Sequence, residues 1–536
     1  MPEYLSPGVY VEEVDTGNKP IEGVATSTVG FIGVAERGPN DPVLITSFGE
    51  YMRSFGGYVA NRYLAHAVEG FFQNGGKRCF INRVRIDPTR ANPAPNPPPA
   101  TATRPAFGGM TVSAIGAGDW GMRIAVKITN AGNNDPNLFK LTVMYFRDAP
   151  PATNNNLNVD PTHPGSRLPA NLGDRREPTL LEVYDNLSVN PNASSFYKRQ
   201  INGLSTLITV DGTGGPRPPS NGVENTANLT IPSTIPLLLN GADGATLVLA
   251  DAQATLRAFE KIDEIAILCC PDESATEFAG ITDDLINQCE NLLDRFAILQ
   301  SDGTVKAPAG HLPPRDSKYS AYYYPWLRVR NAANGTDLLI PPGGHIAGIY
   351  ARSDITRGVH KAPANEVIRG LFLDPADPTR SFQVQVTKGE QDILNPRGVN
   401  VLRYFPGRGN LVWGARTTTR DPDWKYVNVR RLFIFVEESI EEATQWVVFE
   451  PNDEPLWARV RRSVSDFLTR LWMDGMLQGK SREEAYFVKC DRSTMTQADI
   501  DNGRLIMLIG IAPVKPAEFV IFRIGQWTGG SDVTEV

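Results

Sequence analysis

Apolar residues recur along this chain with two periods, and each period predicts its own kind of element. Trp457, Val460, Val464, Phe467, Leu468 and Leu471 follow the three-and-four spacing of a helix with one buried face, beginning after Pro455. A period of two governs residues 429–436 (VRRLFIFV), which read as a strand. That run leads into Ser439-x-x-Glu442, a capping box expected to open a helix reaching about Val448. Shorter apolar runs at 485–490, 505–511 and 518–524 (EFVIFRI) have strand length and composition. In the last, Phe519 and Ile521 project to one face and Val520, Phe522 and Ile524 to the other, so both faces need cover. Such a strand either joins its own sheet or completes a sheet in a neighbouring copy by edge addition.

Nearer the start, residues 1–28 read as an extended arm. Val9 and Val11 alternate with Tyr10 and Glu12, and Pro2, Pro7, Gly8 and Pro20 exclude helix around them. One short strand cannot make a core, so the arm must dock on something. Residues 28–34 (TVGFIGV) form a buried-type strand. A helix carrying Leu64, Val68, Phe71 and Phe72 follows, stopped by Asn74-Gly75-Gly76, and CFINRVRI from Cys79 is the next strand. This order favours a parallel crossover.

Seven prolines between 87 and 105 mark an extended linker. Beyond it, short strands at 110–115, 123–128, 139–146 and 179–184, separated by Asn, Pro and Gly loops, predict an all-β insertion. From Asn240 helix and strand alternate: a helix over 252–261, the strand EIAILCC, a Ser274-x-x-Glu277 box opening a helix with Ile281, Leu285, Cys289 and Leu292, then a strand over 295–300.

Composition narrows the class. A chain of 536 residues exceeds one core and suggests about three or four domains. Lys and Arg total 53 against 60 Asp and Glu, a net charge of -7, which argues against general nucleic-acid or anionic-membrane binding. No apolar run approaches the roughly 20 residues that cross a bilayer, and the start lacks signal-peptide regions, so assembly in the cytoplasm is expected. Five scattered cysteines, without C-x-x-C or histidines at metal spacing, read as reduced core residues; neither cofactor nor metal is expected.

Several stretches imitate catalytic motifs. Gly116-Ala-Gly118-Asp-Trp-Gly121 satisfies G-x-G-x-x-G, but the period-two run MRIAVKI follows it where a dinucleotide site needs a helix, so a hairpin turn is expected. Gly475 to Ser481 is one residue short of a P-loop and follows a helix; its glycines are expected to end that helix, with Ser481 and Glu484 capping the next element. His345 and His360 flank Arg352, Asp354 and Arg357 without a nucleophile, which favours a salt-bridged structural loop. Cys269-Cys270 ends a buried strand and is expected to be inert. Arg459, Arg462 and Arg470, with Arg461 beside them, form a basic stripe that is either a solvated helix face or a binding surface.

The segments NPRGVNVLRYFPGRGNLVWGARTT, YVNVRRLFIFVEESIEEATQWVVFEPND and IGIAPVKPAEFVIFRI resemble, in order, the C-terminal domain of contractile phage tail sheath proteins, including sheaths of tail-like extracellular injection systems. LITSFGEYMRSFGG, YLAHAVEGFFQNGGKRCFINRV, YYYPWLRV and PPGGHIAGIYARSDITRGVHKAPANE extend the resemblance. It implies a multidomain α+β and α/β chain: an arm (1–28), a sheath core domain from 29–86 and 384–515, a linker (87–106), an inserted β domain (107–235), a middle α/β domain (236–383) and a terminal arm strand (516–536). It implies a structural subunit, not an enzyme, polymerising as a helical sheath around an inner tube and contracting to drive that tube through a target envelope. Expected partners are further copies, the inner tube protein, and baseplate and terminal cap proteins, with or without a second sheath paralogue, and with no nucleic acid and no membrane insertion. The particle is a virion tail or a released or anchored contractile machine. Val9, Tyr10, Val11, Phe519, Val520, Ile521, Phe522 and Ile524 are the expected inter-subunit strands, and Arg459, Arg461, Arg462 and Arg470 the expected tube-facing residues. A nucleotide-binding enzyme and another tail or baseplate component remain alternatives.

Overall fold

The computed structural model describes residues 20–87, 99–221, 233–244, 246–331, 335–374 and 377–521. They fall into a larger unit, Gly23–Val359 with Pro363–Glu438, and a smaller one, Met1–Glu22, His360–Ala362 and Ser439–Val536.

The larger unit opens with β1 (Val29–Gly33), β2 (Val43–Ile45), α1 (Phe48–Phe55), α2 (Leu64–Gln73) and β3 (Cys79–Arg83). The Ser47 hydroxyl accepts from Glu50 N to start α1, and Gly75, at φ 104°, stops α2 as its sequence predicts. β1 and β3 pair in parallel from Val29↔Cys79 to Gly33↔Arg83, so the expected crossover is present.

The insertion holds β4 (Thr103–Phe107), β5 (Met110–Ala114), β6 (Ile124–Asn130), β7 (Leu138–Tyr145), the short pair β8 (Ala152–Thr153) and β9 (Asn156–Leu157), β10 (Leu180–Ser188), α3 (Tyr197–Ile201) and β11 (Ile208–Asp211). Two three-stranded sheets, β10-β7-β6 and β11-β5-β4, share a core that includes Val112, Ile124, Val126, Phe139, Leu141, Val143, Ile208 and Val210. The linker predicted over 87–106 ends sooner than expected, because β4 runs through Pro105. Proline is tolerated there since β4 is a sheet edge and its register shifts between Pro105 and Phe107. Residues 88–98 of that linker lie outside the described residues.

Then come α4 (Leu249–Arg257), β12 (Ile267–Cys269), α5 (Ile281–Leu292), β13 (Phe296–Gln300), β14 (Ser320–Tyr324), β15 (Leu327–Arg330), β16 (Asp337–Ile340), α6 (Gly343–Arg357), α7 (Lys388–Leu394), β17 (Val399–Phe405) and β18 (Gly409–Trp413). The Ser274 box does not open α5. Gly280, at φ 105°, sits immediately before that helix, and Glu277 instead pairs with Arg62.

Eight strands form one sheet in the order β18-β17-β14-β13-β12-β1-β3-β2. Six are parallel, and an antiparallel strand closes each side, β18 on β17 and β2 on β3. Every residue of β1, β13 and β14 is buried, the mark of a sheet covered on both faces. Phe31 of β1 meets Phe71 of α2 edge to face at 5.6 Å, while a Cβ on the adjacent Gly30 would stand 3.0 Å from Phe259, so helices cover both sides. The segments expected to form a separate middle domain (236–383) and the two parts of a sheath core domain therefore do not part at those boundaries. Strands from 29–86, from the middle segment and from 399–413 share this sheet.

α6 crosses α2 at unusually short range. A Cβ on Gly344 would lie 2.3 Å from Ala67 O, and one on Gly348 would lie 2.4 Å from Phe71 O. Only glycine lets these backbones approach so closely, which accounts for the glycines of PPGGHIAG.

The strand predicted over 429–436 is a helix, part of α8 (Val427–Thr444), and Ser439 is buried inside it rather than capping it. The VRRLFIFV alternation hides a second reading, since Val427 and Ile434 are two turns apart and both join the main core. Between them Arg431 donates to both carboxylate oxygens of Asp354 on α6, at 2.9 and 2.7 Å, and Arg430 lies over the rings of Trp424 (4.7 Å) and Tyr319 (4.8 Å). Partners for two buried guanidiniums decide the element, and β propensity loses to tertiary context. The smaller unit continues with α9 (Glu454–Met473), α10 (Arg482–Ala485), β19 (Tyr486–Lys489), α11 (Gln497–Asp501) and β20 (Leu508–Ile511).

Candidate assembly surface

The smaller unit is organised on α9. Asp453 caps it by accepting from Leu456 N at 2.9 Å, and the predicted apolar face, Trp457, Val460, Val464, Phe467, Leu468 and Leu471, is buried throughout. Burying each such side chain contributes about 1.5 to 3 kcal/mol. The helix ends in a double backbone turn, Gly475 N to Trp472 O and Met476 N to Leu471 O, with Gly475 at φ 75°. The P-loop imitation is thus a helix terminus, as expected. Ser481 makes no side-chain cap to α10, and Glu484 instead accepts from Lys480 N at 2.8 Å.

β19 and β20 form a two-stranded antiparallel sheet beside α9. The Tyr486 hydroxyl lies 2.7 Å from Thr469 Oγ1 and donates to Ser465 O at 3.1 Å, which fixes the inner face. Phe487 and Lys489 alternate outward and are exposed; Phe487 covers Gly510, whose added Cβ would stand 2.2 Å from its ring. Among the described residues no third strand joins them; residues 476–478 bond to the chain just past β20, Gln478 N to Ala512 O at 2.8 Å, so the unpaired backbone donors and acceptors lie along the outer edge of β19 and along 508–511. Leu508 is exposed as well.

Phe519, Val520 and Ile521 are 68–79% exposed and carry no strand. Among the described residues of EFVIFRI, strand formation thus fails within the single chain. Val9, Tyr10, Val11, Phe522 and Ile524 lie outside the described residues. Phe449 is fully exposed at φ 69°, a conformation costly for a bulky residue. Nothing in its neighbours signals this. The exposure of Phe487 is equally unmarked, since 485–490 reads only as a short apolar run of strand length.

The arginine stripe is on α9 but is only partly free. Arg459 pairs with Glu450 at 3.7 Å and lies over Trp446, Arg461 donates to Cys490 O at 3.4 Å, and Arg470 donates to Ile21 O at 2.5 Å. Arg462 is exposed without a partner among the described residues, and Asp466, one turn on, is exposed too.

The remaining imitations resolve structurally. Residues 116–121 do not make a hairpin: β5 and β6 belong to different sheets, and a single 3-10 turn, Asp119–Arg123, joins them. No helix follows to receive a pyrophosphate. His345, Arg352, Asp354 and Arg357 lie on a helix, α6, rather than in a loop. Asp354 is held by Arg431, as above, and Arg352 donates to Asn74 O at 3.1 Å and Val367 O at 2.8 Å. The expected salt bridging is present on a different element. All five cysteines are buried, and burial pushes the Cys269 and Cys270 thiols far above their ordinary range, away from the reactive thiolate.

Residues 247–418 match the family model described as "Phage tail sheath protein central domain", and residues 419–526 match "Phage tail sheath C-terminal domain". The two matches adjoin and together take in more than half of the chain. The tail sheath protein of Vibrio phage KVP40 is 24% identical over 204 residues, 38% of this chain and 29% of that protein. A putative prophage major tail sheath protein of Pseudomonas aeruginosa is 23% identical over 273 residues, 49% of this chain and 65% of that one. The aligned stretch thus spans about three tenths of the phage relative's length. Among solved structures, the anti-feeding prophage helical sheath in its contracted state superposes with a TM-score of 0.56 at 25% identity, covering 97% of this chain and 99% of that one.

Proposed function

From its membership of the phage tail sheath family, we propose that this chain is the sheath subunit of a contractile tail or injection particle. It polymerises as a helix of many copies around an inner tube, and it shortens from a metastable extended packing to drive that tube through a target envelope. The observation that carries the reading is an incomplete sheet beside an exposed apolar run: β19–β20 has no third strand, its β19 edge is open, and Phe519, Val520 and Ile521 stand exposed. A two-stranded sheet is marginal by itself. In a head-to-tail polymer the terminal strand of one copy adds to the open edge of the next, and the interface propagates because it does not close.

Each added backbone hydrogen bond is worth about 1 kcal/mol net and each buried apolar side chain about 1.5 to 3 kcal/mol. Such strand joints tether the copies while their bodies repack. Contraction on this reading is release from a kinetic trap, with no nucleotide consumed. The α9 arginines, Arg462 above all, face acidic groups of the tube; exposed pairs of about 0.2 to 1 kcal/mol each set register and still break during shortening. The remaining partners are a baseplate and a terminal cap, with or without a second sheath paralogue. Assembly takes place in the bacterial cytoplasm, and the site needs no cofactor.

Electron microscopy of particles purified with their tube is the test. Wide hollow helical cylinders that shorten in nucleotide-free buffer are expected; a strict ATP requirement, or rings in place of cylinders, overturns the proposal.

A further inference from the structure

A cavity of about 410 Å³ opens in the larger unit between α2, the β15–β16 pair and residues 370–373. Its floor is buried, made by His66, Gly70, Val329, Ile340 and His345, and its mouth is exposed at Gln73, Arg330, Gly370 and Leu373. The His345 ring is held in a slot between two glycines. A Cβ on Gly70 would meet Nδ1 at 2.3 Å, and one on Gly370 would lie 3.7 Å from Nε2. The residue is 2% exposed, yet neither ring nitrogen has a hydrogen-bond partner. An unsatisfied buried polar group is costly and calls for an explanation such as a bound molecule.

The wall beside it is rich in acceptors. Glu69 accepts from the Tyr58 hydroxyl at 2.8 Å and from Gln73 Nε2 at 3.2 Å, both neutral donors, and no Lys or Arg among the described residues pairs with it. Gln73 Oε1 stands over Gly370. Arg330, at the mouth, commits its Nε to Gly335 O at 3.2 Å. Burial lowers both imidazoles, His66 and His345, to a pKa of about 4, so at neutral pH neither supplies a positive charge to Glu69. The intervening walls are Val329, Ile340, Leu371 and Phe372.

An uncompensated carboxylate, a carboxamide oxygen and a vacant imidazole lone pair, set in hydrocarbon walls, complement a short alkyl chain ending in N–H donors. We propose that this cavity binds a small primary alkylammonium, its ammonium donating to Glu69, Gln73 and His345 and its methylenes lying on Val329 and Ile340. A carboxylate ligand would meet Glu69 charge against charge. No group of three His, Cys, Asp or Glu among the described residues is placed to hold a metal ion. The inference is independent of the sheath reading.

Titration calorimetry on the purified full chain, with n-butylammonium as the probe, tests it. Saturable binding is expected, at least tenfold weaker in Glu69→Gln and about threefold weaker in Gln73→Ala. Gln73→Ala changes an exposed side chain at the mouth, so it reads out binding even where Glu69→Gln disturbs the Tyr58 contact and the fold. Butyrate and tetramethylammonium, lacking the charge or the N–H donors, are expected to give no saturable heat. Equal affinity in both variants, binding of butyrate as tight as that of the amine, or no heat from the amine up to its solubility limit overturns the proposal.

Discussion

The two compact units handle their sheet edges in opposite ways. In the larger one, six parallel strands are flanked on each side by a single antiparallel strand, and helices cover both faces, so the apolar interior is complete within one copy. In the smaller one, two strands of four residues each lean on α9 with no third strand, the β19 edge open, and Phe487 and Leu508 exposed. The first is a finished fold. The second rests its sheet on α9 and leaves a strand edge unpaired, which on the proposed reading is the template for a neighbouring copy's strand. On that reading a single copy carries both a finished body and a coupling element.

The largest expected effect separates coupling from folding. Truncation after Pro516 should leave a chain with unchanged melting temperature and abolish polymerisation, read by sedimentation and microscopy; full-length cylinders from the truncated chain would break the comparison. Next in size is damage to the finished unit. Gly344→Ala drives a Cβ into Ala67 O and should destabilise by about 1 to 3 kcal/mol, seen as a lower melting temperature.

Acid distinguishes the units further. His66 and His345 fall to a pKa of about 4 when folded, below the ordinary 6.5, so their share of stability is intact above pH 6.5. It is lost as pH drops towards 4, by about 1.4 kcal/mol per pH unit for each histidine. The smaller unit holds one of the five histidines, His360, and none in Ser439–Val536. The urea midpoint should fall across that window and fall less in His66→Gln. Glu273 behaves with the opposite sign: burial raises its carboxyl to about 8 from 4.5, so its contribution is full below pH 4.5 and lost as pH rises towards 8. Glu273→Gln should therefore melt higher than the parent at pH 8, by a margin that shrinks at pH 5. Arg462→Glu is the gentlest change: no shift in melting temperature, and tube attachment weakened by less than about 1 kcal/mol per site, a difference that added salt erases.

The chain itself determined a good deal. The α9 stripe from Trp457 to Leu471, the β1–α2–β3 crossover and the Asn74-Gly75-Gly76 stop were legible because each is set by local spacing or by glycine's freedom at positive φ. What tertiary structure alone decided depends on groups far apart in sequence. VRRLFIFV is helical because Arg430 finds Trp424 and Tyr319 and Arg431 finds Asp354. The glycines of PPGGHIAG matter because α2 passes at backbone distance, and the segments of the main sheet share one layer because parallel strands pair across long connections. Periodicity shows which face a residue takes; it cannot show which distant partner that face will meet.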